Sequence, residues 1–428
     1  MRIDRIDANI EGGTEYPFPR MVPVDQHFDR PRVEDIEQTV RTEMDKLDPA
    51  AFRGKRIAIT AGSRGIAGLV EILANVVVRL RDWGAEPFIV PAMGSHGGAT
   101  AEGQVRVLGG YGITEETVGA PILSSMETVE VARLDDGRPL YCDKNAYGAD
   151  GIVVCNKVKP HADFKAEYES GLVKMMALGL GKHKGAAAIH THGFGSFEQV
   201  LPEAGKALLQ NLPVCFGVAI LENALDDLMA VEVIPPERIL EREKELLSLA
   251  KKSIARLLLP EIDVLVVDEI GKNISGEGMD PNVTGRPGSG LPGFDAPAIQ
   301  KIVVLDVTPE SHGNGVGIGM ADITTLRCVN KLDLGAMYTN AITATIVDPA
   351  KIPLIMNNDR EAIAVAFKTC NRITPQTARV VRIKNTLEVH RILVSEALVP
   401  GVEANPRMSL VGAPQPFKFN ADGGLRVQ

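Results

Sequence analysis

Short runs of apolar residues alternate with amphipathic stretches along most of the chain. Residues 55–60 and 87–90 are apolar runs of strand length, and residues 67–83 between them carry apolar side chains at helical spacing up to Gly84. Residues 33–47 show the same helical spacing ahead of the first run. A strand, a helix and a second strand in this order predict neighbouring parallel strands, whose carboxyl ends meet at one edge of a sheet.

The same patterns continue towards the C-terminal part of the chain. They predict strands at residues 151–155, 214–221, 228–234, 262–267, 301–307 and 378–383, a hairpin at 126–143, and helices at 237–259 and 360–370. Residues 1–30 are expected to be a polar lead-in, and the chain after about residue 400 is expected to be peripheral. The glycine-rich stretch 271–290 is too polar to predict a core element and indicates either a functional or a disordered loop.

The length of the chain predicts more than one domain. At 428 residues the chain is longer than a single hydrophobic core usually supports. The long amphipathic helix at 237–259 comes just before the predicted strand at 262–267. We therefore interpret this helix as the connector between the domains and place the domain boundary near residue 258. We therefore predict two α/β domains, residues 1–258 and 259–428, with largely parallel sheets flanked by helices and the active site in the cleft between them.

Composition excludes several classes of function. The protein is 45% hydrophobic and 24% charged, as is typical of a soluble globular protein, and its net charge of −9 argues against a nucleic-acid partner. The five cysteines are dispersed without a CxxC pair, which favours a reducing compartment over a disulfide framework. No apolar run predicts a membrane span, and the N-terminus lacks the apolar core of a signal peptide. We expect a cytoplasmic homo-oligomer without a membrane partner.

Glycine-rich loops follow the first two predicted strands. Ser63 and Arg64 lie in the first loop, and His96 lies in the second, next to glycines. Since such loops converge at a sheet edge, Arg64 and His96 are expected to face one cavity. A guanidinium there can form a bidentate pair of hydrogen bonds with a carboxylate, and an imidazole can act as acid or base. The GxxGxxG spacing at 62–68 differs from the GxGxxG dinucleotide motif, which disfavours a Rossmann cofactor site.

Residues 156–192 concentrate further candidates for chemistry. Lys174 lies among apolar residues, which predicts a partly desolvated and more nucleophilic amine. His161 and His190 lie in the same stretch, and imidazoles are both bases and metal ligands.

The strand-end motifs resemble those of the nickel-dependent lactate racemase family, enzymes that use a nickel-pincer nucleotide. Ser63-Arg64 is similar to the family's Thr-Arg, whose arginine binds the substrate carboxylate. Gly94-Ser95-His96, followed by Thr100, is similar to its Gly-x-His…Thr, which carries a catalytic histidine. The resemblance implies that Arg64 binds the substrate and that His96 is catalytic.

The central segment carries the rest of this resemblance. Residues 170–174, Ser-Gly-Leu-Val-Lys, are similar to the family's Ser-Gly-Gly-x-Lys, whose lysine can hold the cofactor covalently. His190 lies 16 residues beyond Lys174, which is the family's spacing between tethering lysine and nickel-binding histidine. His161 resembles the second catalytic histidine.

The resemblance implies an isomerase, a racemase or epimerase that inverts C2 of a 2-hydroxy acid. A proton beside an ionised carboxylate is weakly acidic, so the implied route moves hydride to and from the nickel-pincer nucleotide, in which a pyridinium dithio-mononucleotide holds the nickel. Lys174 is the implied tether and His190 the implied nickel ligand. Ser63, Gly94 and Ser95 are expected to contact the nucleotide.

The chain departs from the family pattern at three places. Leu172 replaces the second glycine of the family's Ser-Gly-Gly-x-Lys, so the local turn can differ. Residues 163–170, DFKAEYES, form an insertion between His161 and Lys174, so Asp163, Glu167 or Glu169 can replace His161 as the second acid or base. The second-domain loop lacks the family's Gln-x-x-Lys. It offers instead Lys272, Asn273, Asp280, Asn282 and Arg286. Of these, Lys272, Asn273 and Arg286 are predicted to bind the substrate. The substrate is expected to be a larger, sugar-derived hydroxy acid of carbohydrate metabolism.

Two other classes of function stay open at this point. A metal-dependent hydrolase or lyase would use His96, His161 and His190 as ligands, although they lack the HxH or HExxH spacing of preformed zinc sites. A non-catalytic protein that binds a small carboxylate or a nucleotide would need no second base.

Overall fold

The computed structural model describes residues 3–63 and 65–426. They form two compact units: a central unit, Asp29–Ile254, and a terminal unit built from the chain through Phe28 and from Ala255 onward. The predicted boundary near residue 258 lies close to the second junction. Residues 3–28, which the sequence assigned to the N-terminal domain, belong instead to the terminal unit.

The strands and helices of the described residues are numbered in chain order. The strands are β1 (Met21–Gln26), β2 (Arg56–Ala61), β3 (Glu86–Pro91), β4 (Thr128–Arg133), β5 (Pro139–Asp143), β6 (Gly151–Lys157), β7 (Val214–Glu222), β8 (Leu228–Ile234), β9 (Glu261–Val267), β10 (Ala298–Val304), β11 (Ile323–Thr325), β12 (Leu354–Met356), β13 (Val380–Ile383), β14 (Arg391–Ser395) and β15 (Met408–Leu410). The α-helices are α1 (Ile36–Met44), α2 (Leu69–Asp82), α3 (Ala101–Gly110), α4 (Glu115–Val118), α5 (Lys144–Tyr147), α6 (Leu172–Lys174), α7 (Lys182–His190), α8 (Phe197–Asn211), α9 (Ile239–Ser253), α10 (Pro281–Thr284), α11 (Leu326–Val329), α12 (Leu334–Ala344), α13 (Asp359–Thr369) and α14 (Val399–Glu403). A π-helical turn spans Met175–Gly179.

The central unit contains a five-stranded sheet in the order β3-β2-β6-β7-β8. Neighbours from β3 through β7 are parallel, and β8 returns antiparallel to β7. Nearly every residue of β2 and β3 is buried, as expected for parallel strands covered on both faces. The predicted hairpin is the antiparallel pair β4 and β5, with a bulge between Glu130 and Ala132.

The register of this sheet sets one edge for chemistry. Ala61 at the end of β2 pairs with Pro91 at the end of β3. On its other side, β2 pairs in parallel with β6. The loops that leave these three strands therefore start side by side, as the sequence predicted for the first two.

The terminal unit is built on an eight-stranded sheet in the order β12-β11-β10-β9-β13-β14-β1-β15. The strands from β12 through β13 are parallel, and β14, β1 and β15 are antiparallel to their neighbours. Strand β1 lies inside this sheet, where Val24 pairs with Ile392 on one side and Leu410 on the other. The expectation of a polar lead-in is therefore corrected, because Met21 is buried in one hydrophobic core of this unit and Val22 and Val24 are buried in another.

Two further stretches are more buried than their composition indicated. Residues 271–290 contain α10, and Met279 and Val283 belong to a hydrophobic core of the terminal unit. In the tail, Phe417 and Phe419 pack against another core of the same unit, and β15 pairs with β1. Glycine and polar residues concealed the few apolar anchors in both places.

The structure confirms the predicted fold class of two α/β units with largely parallel sheets flanked by helices. Among the helices of residues 3–63 and 65–426, none combines the length and the apolar character that a bilayer crossing requires.

The position of β1 generates a test of the fold. Val24 is fully buried, so Val24→Ala leaves a cavity and is expected to lower the free energy of unfolding by about 2 kcal/mol. Val411, which is 44% exposed, is the matched control. Val411→Ala is expected to lower the free energy of unfolding by less than about 0.5 kcal/mol. Urea unfolding of both variants gives the comparison. Equal effects would contradict the burial of β1 between two strands.

Candidate functional site

The loops after β2 and β3 bring two predicted residues into contact. The Ser63 hydroxyl is hydrogen-bonded to Nδ1 of the exposed His96 ring. The phenol of Tyr111 donates to the Ser63 carbonyl at 3.2 Å, a contact that no motif indicated. Arg64, predicted to bind the substrate carboxylate, lies outside the described residues.

Gly94 fixes the second loop against the central segment. It is buried with φ of 60°, and an added Cβ would lie 3.4 Å from the Ala186 side chain. Its backbone N–H donates to the Gly179 carbonyl at 3.3 Å. The positive φ favours glycine at this position, whereas an added Cβ would meet its neighbours only at ordinary van der Waals distance. This contact joins the loop of Ser95 and His96 to the segment that carries Lys174 and His190.

The insertion after β6 folds around the carboxylate of Glu169, which is fully buried. The backbone N–H groups of His161 and Ala166 donate to it at 2.6 and 3.2 Å. The ammonium groups of Lys165 and Lys251 lie 3.3 and 2.6 Å from its oxygens. With these donors around it, the carboxylate anchors the loop, whereas the sequence predicted an acid or base at this position.

Lys174 ends the short helix α6 and is half-buried. Its Nζ contacts Nε2 of His161, which is also half-buried. The other ring nitrogen of His161, Nδ1, accepts the backbone N–H of Asp163 at 3.0 Å. The structure therefore brings together Lys174 and His161, two of the residues that the sequence selected. The π-helical turn that follows Lys174 is a local irregularity of the kind often found at functional sites.

His190 ends α7 and is arranged as a neutral imidazole. Burial lowers its pKa, a hydrogen bond to the Ala186 carbonyl opposes this, and a positive charge on Lys174 would lower the pKa further. The Lys174 amine is therefore within electrostatic range of the ring. Nδ1 lies 2.7 Å from the Ala186 carbonyl oxygen, so Nδ1 carries the hydrogen and Nε2 keeps its lone pair. This is the tautomer that a metal-binding histidine adopts.

Three phenylalanines form an apolar wall that joins the two histidines. The Phe164 ring lies 4.5 Å from the His161 ring, and the Phe194 ring lies 5.6 Å from His161 and 5.3 Å from His190. Phe197 lies 5.2 Å from His190 and 5.0 Å from Phe194. Sequence reasoning missed this wall, although GFGSF directly after His192 was a signal. An apolar wall strengthens the electrostatic interactions beside it.

A buried ion pair, also missed, supports the start of α7. Lys182 and Asp143 are both fully buried, with 3.2 Å between Nζ and the carboxylate. Burial lowers the pKa of Lys182, and the Asp143 charge offsets part of this. The same ammonium donates to the Pro91 carbonyl and, at 2.9 Å, to the Gln104 side chain. It therefore ties the end of β3 to the helix that carries His190.

Glu243 lies beneath the start of α6. Its carboxylate is fully buried and accepts the Val173 backbone N–H at 2.9 Å. Burial raises the pKa of Glu243 to about 7, and hydrogen bonds from Val173 and Leu172 oppose this. Gly171 passes so close to this carboxylate that an added Cβ would collide with it. Close packing against the Glu243 carboxylate thus explains why residue 171 is a glycine.

The predicted substrate residues of the second domain lie within the terminal unit. The Lys272 ammonium donates to the Gly276 carbonyl at 2.6 Å, and the Asn273 amide oxygen accepts from the Thr308 hydroxyl at 2.7 Å. Arg286 forms an ion pair with Asp322 at 2.6 Å. The Arg286 guanidinium also donates to three backbone carbonyls, those of Met320, Ile299 and Gln300. Arg286 is thereby engaged in holding its own loop.

The described residues contain no group of three or more histidine, cysteine, aspartate or glutamate side chains that could hold a metal ion. The three-histidine ligand set of the hydrolase alternative is therefore not assembled there. His161 instead directs Nε2 at Lys174.

Comparison with known proteins establishes a likeness of fold. No protein-family profile and no curated protein sequence matches the chain. Among solved structures, the lactate racemase apoprotein from Thermoanaerobacterium thermosaccharolyticum aligns over 86% of this chain and 99% of that chain, with a TM-score of 0.52 and 12% sequence identity. The chain therefore has a lactate-racemase-like α/β fold.

The raised pKa of Glu243 predicts a pH dependence of stability. The native state holds the proton up to about pH 7, while the ordinary value is 4.5, so the stabilising contribution is complete below about pH 4.5 and is lost as the pH rises through about 7. Glu243→Gln is expected to abolish this loss and to be more stable than the parent at pH 8, by up to about 3 kcal/mol. Unfolding free energies from pH 4.5 to 8 measure it.

The matched control for this test is Glu241, on the same helix with a side chain that is 68% exposed. Glu241→Gln is expected to follow the pH profile of the parent protein. A Glu243→Gln profile parallel to that of the parent would refute a protonated Glu243.

Proposed function

We propose that this protein is a racemase or epimerase that inverts C2 of a 2-hydroxy acid with a nickel-pincer nucleotide as cofactor. The observation that carries the proposal is the grouping of Lys174, His161 and His190 around one apolar wall. The lactate-racemase-like fold supports the same class of reaction.

The donor set fits the proposed cofactor. Nε2 of His190 offers a lone pair on a neutral ring, and imidazole nitrogen suits nickel. The Lys174 amine, within electrostatic range of that ring, would hold the organic part covalently. Ser63, Gly94 and Ser95 would contact the nucleotide, with the backbone of their loops as donors. When bound, the cofactor would supply hydride-transfer chemistry at C2 of the substrate.

The remaining residues would bind and orient the hydroxy acid. Arg64 would fork onto its carboxylate. Nδ1 of His96 is hydrogen-bonded to the Ser63 hydroxyl, and Nε2 is proposed to take the proton of the substrate hydroxyl. His161 would act on the opposite face as a donor to the substrate oxygen, with Glu169 fixing its loop as a positioning residue. The phenylalanine wall would keep water from the transferring hydride.

The substrate is proposed to be a sugar-derived hydroxy acid. Lys272 and Asn273 offer an ammonium and an amide, groups that suit additional hydroxyls. Arg286 is the weakest member of the predicted set, because its ion pair with Asp322 would have to open.

Loading with the cofactor provides the direct test. Protein co-produced with cofactor-making enzymes is expected to carry stoichiometric nickel and an added nucleotide mass on Lys174, measured by metal analysis and intact mass spectrometry. His190→Ala is expected to lose nickel, because its ring is the proposed ligand, and Lys174→Ala is expected to lose the covalent mass.

His192→Ala is the matched control, since His192 is exposed and lies two residues beyond the proposed ligand. It should retain both nickel and added mass. If the parent protein acquires neither nickel nor nucleotide, the proposed function has no basis.

The role of His96 is tested on a panel of aldonic and simple 2-hydroxy acids. Inversion is expected in D2O without deuterium entering C2, because the hydrogen moves as hydride. His96→Gln is expected to slow inversion by about 100-fold or more, while keeping the cofactor. His183→Gln, at an exposed site, should react like the parent. Deuterium incorporation at C2 would rule out the hydride route.

A further inference from the structure

The hydrogen bonds around His161 determine which ring nitrogen carries its proton. Nδ1 accepts the backbone N–H of Asp163 at 3.0 Å, and a nitrogen that accepts must offer a lone pair. The neutral ring therefore carries its hydrogen on Nε2. The Asp163 carboxylate does not reverse this, because its nearest oxygen lies 3.6 Å from Nδ1, beyond hydrogen-bond distance.

The protonated Nε2 of His161 contacts Nζ of Lys174. An ammonium group has three donors and no lone pair, so two donors would face each other if Lys174 were charged. The contact is satisfied only when Nζ is a neutral amine that accepts from Nε2. Buried Val173 and Met175 flank Lys174 in the chain, and the Phe164 ring packs against the ring of His161.

The loop holds His161 rigidly in this orientation. Its backbone N–H donates to the buried Glu169 carboxylate at 2.6 Å, and the Lys165 ammonium donates to its carbonyl at 2.7 Å. Both contacts come from the insertion at 163–170. The insertion therefore gives the ring a fixed position opposite Lys174 before any ligand binds.

We infer that His161 acts on Lys174, holding its side chain as a neutral amine poised to attack an activated acyl carbon. In that step the Nζ lone pair forms a C–N bond, the bond from the acyl carbon to its leaving group breaks, and the leaving group departs with the electron pair. One amine proton leaves to solvent, so the product is an amide. The inference deepens the proposed function at the same site and assigns His161 a role that precedes substrate binding.

This role and the proposed role of His161 at the substrate are consecutive. An amide nitrogen is a poor hydrogen-bond acceptor, because its lone pair is delocalised into the carbonyl group. Acylation of Lys174 therefore releases the Nε2 hydrogen of His161. The ring can then donate to a substrate oxygen while Asp163 keeps Nδ1 occupied.

Competitive trace labelling with acetic anhydride at pH 7 tests this inference on the full chain, produced without the cofactor-making enzymes. An ordinary lysine has roughly one amine in two thousand in the neutral form at this pH, so even a half-buried neutral Lys174 should acetylate at least about tenfold faster than exposed Lys252. Peptide mass spectrometry gives the rate at each site. A Lys174 rate equal to or below that of Lys252 would overturn the inference.

Two isosteric variants separate the hydrogen bond from simple packing. His161→Gln retains an N–H donor towards Nζ, so Lys174 is expected to acetylate within about threefold of the parent rate. His161→Glu presents a carboxylate that stabilises an ammonium, so acetylation of Lys174 is expected to be slower by about tenfold or more. Matching melting temperatures show that both variants fold. Equal Lys174 rates in the two variants would refute the role of His161, and nickel loading would remain a separate test of the proposed function.

Discussion

The candidate site depends on one buried carboxylate, that of Glu169. A carboxylate removed from water is stable only when donors surround it, and here two lysines and two backbone N–H groups do so. Those donors come from His161 just before the insertion, from Lys165 and Ala166 within it, and from Lys251 on helix α9. The carboxylate therefore converts a polar, irregular stretch into a fixed support for His161, and the contact with Lys174 follows from that support.

The opposite side of the site is held by a second set of buried charges. Lys182, with φ of 53° and no exposed surface, links β3, α3 and Asp143. A non-glycine residue in this conformation costs about 1–2 kcal/mol, which the ion pair and hydrogen bonds offset. Glu243 plays a similar part under α6, where it accepts backbone N–H groups just before Lys174. Lys182 and Glu243 fix the backbone at the start of α7 and at the start of α6, respectively.

Much of the fold followed from local pattern. The parallel strands, their flanking helices and the hairpin of β4 and β5 were predicted because apolar periodicity reports directly which face of an element is buried. Strand β1 and the buried parts of residues 271–290 were missed for the opposite reason. Their apolar anchors are few and are separated by proline, glycine or polar residues, so only pairing with distant strands reveals them.

The site divides in the same way. The sequence by itself selected the candidate residues, since Ser63, His96, Lys174 and His190 stand out by type, spacing and position after strands. Only the tertiary structure decided how they are used. The direction of the His161 ring, the enclosure of Glu169 and the phenylalanine wall depend on hydrogen bonds and packing between segments far apart in the chain. Side-chain protonation and orientation are set by such neighbours, and a linear pattern contains no record of them.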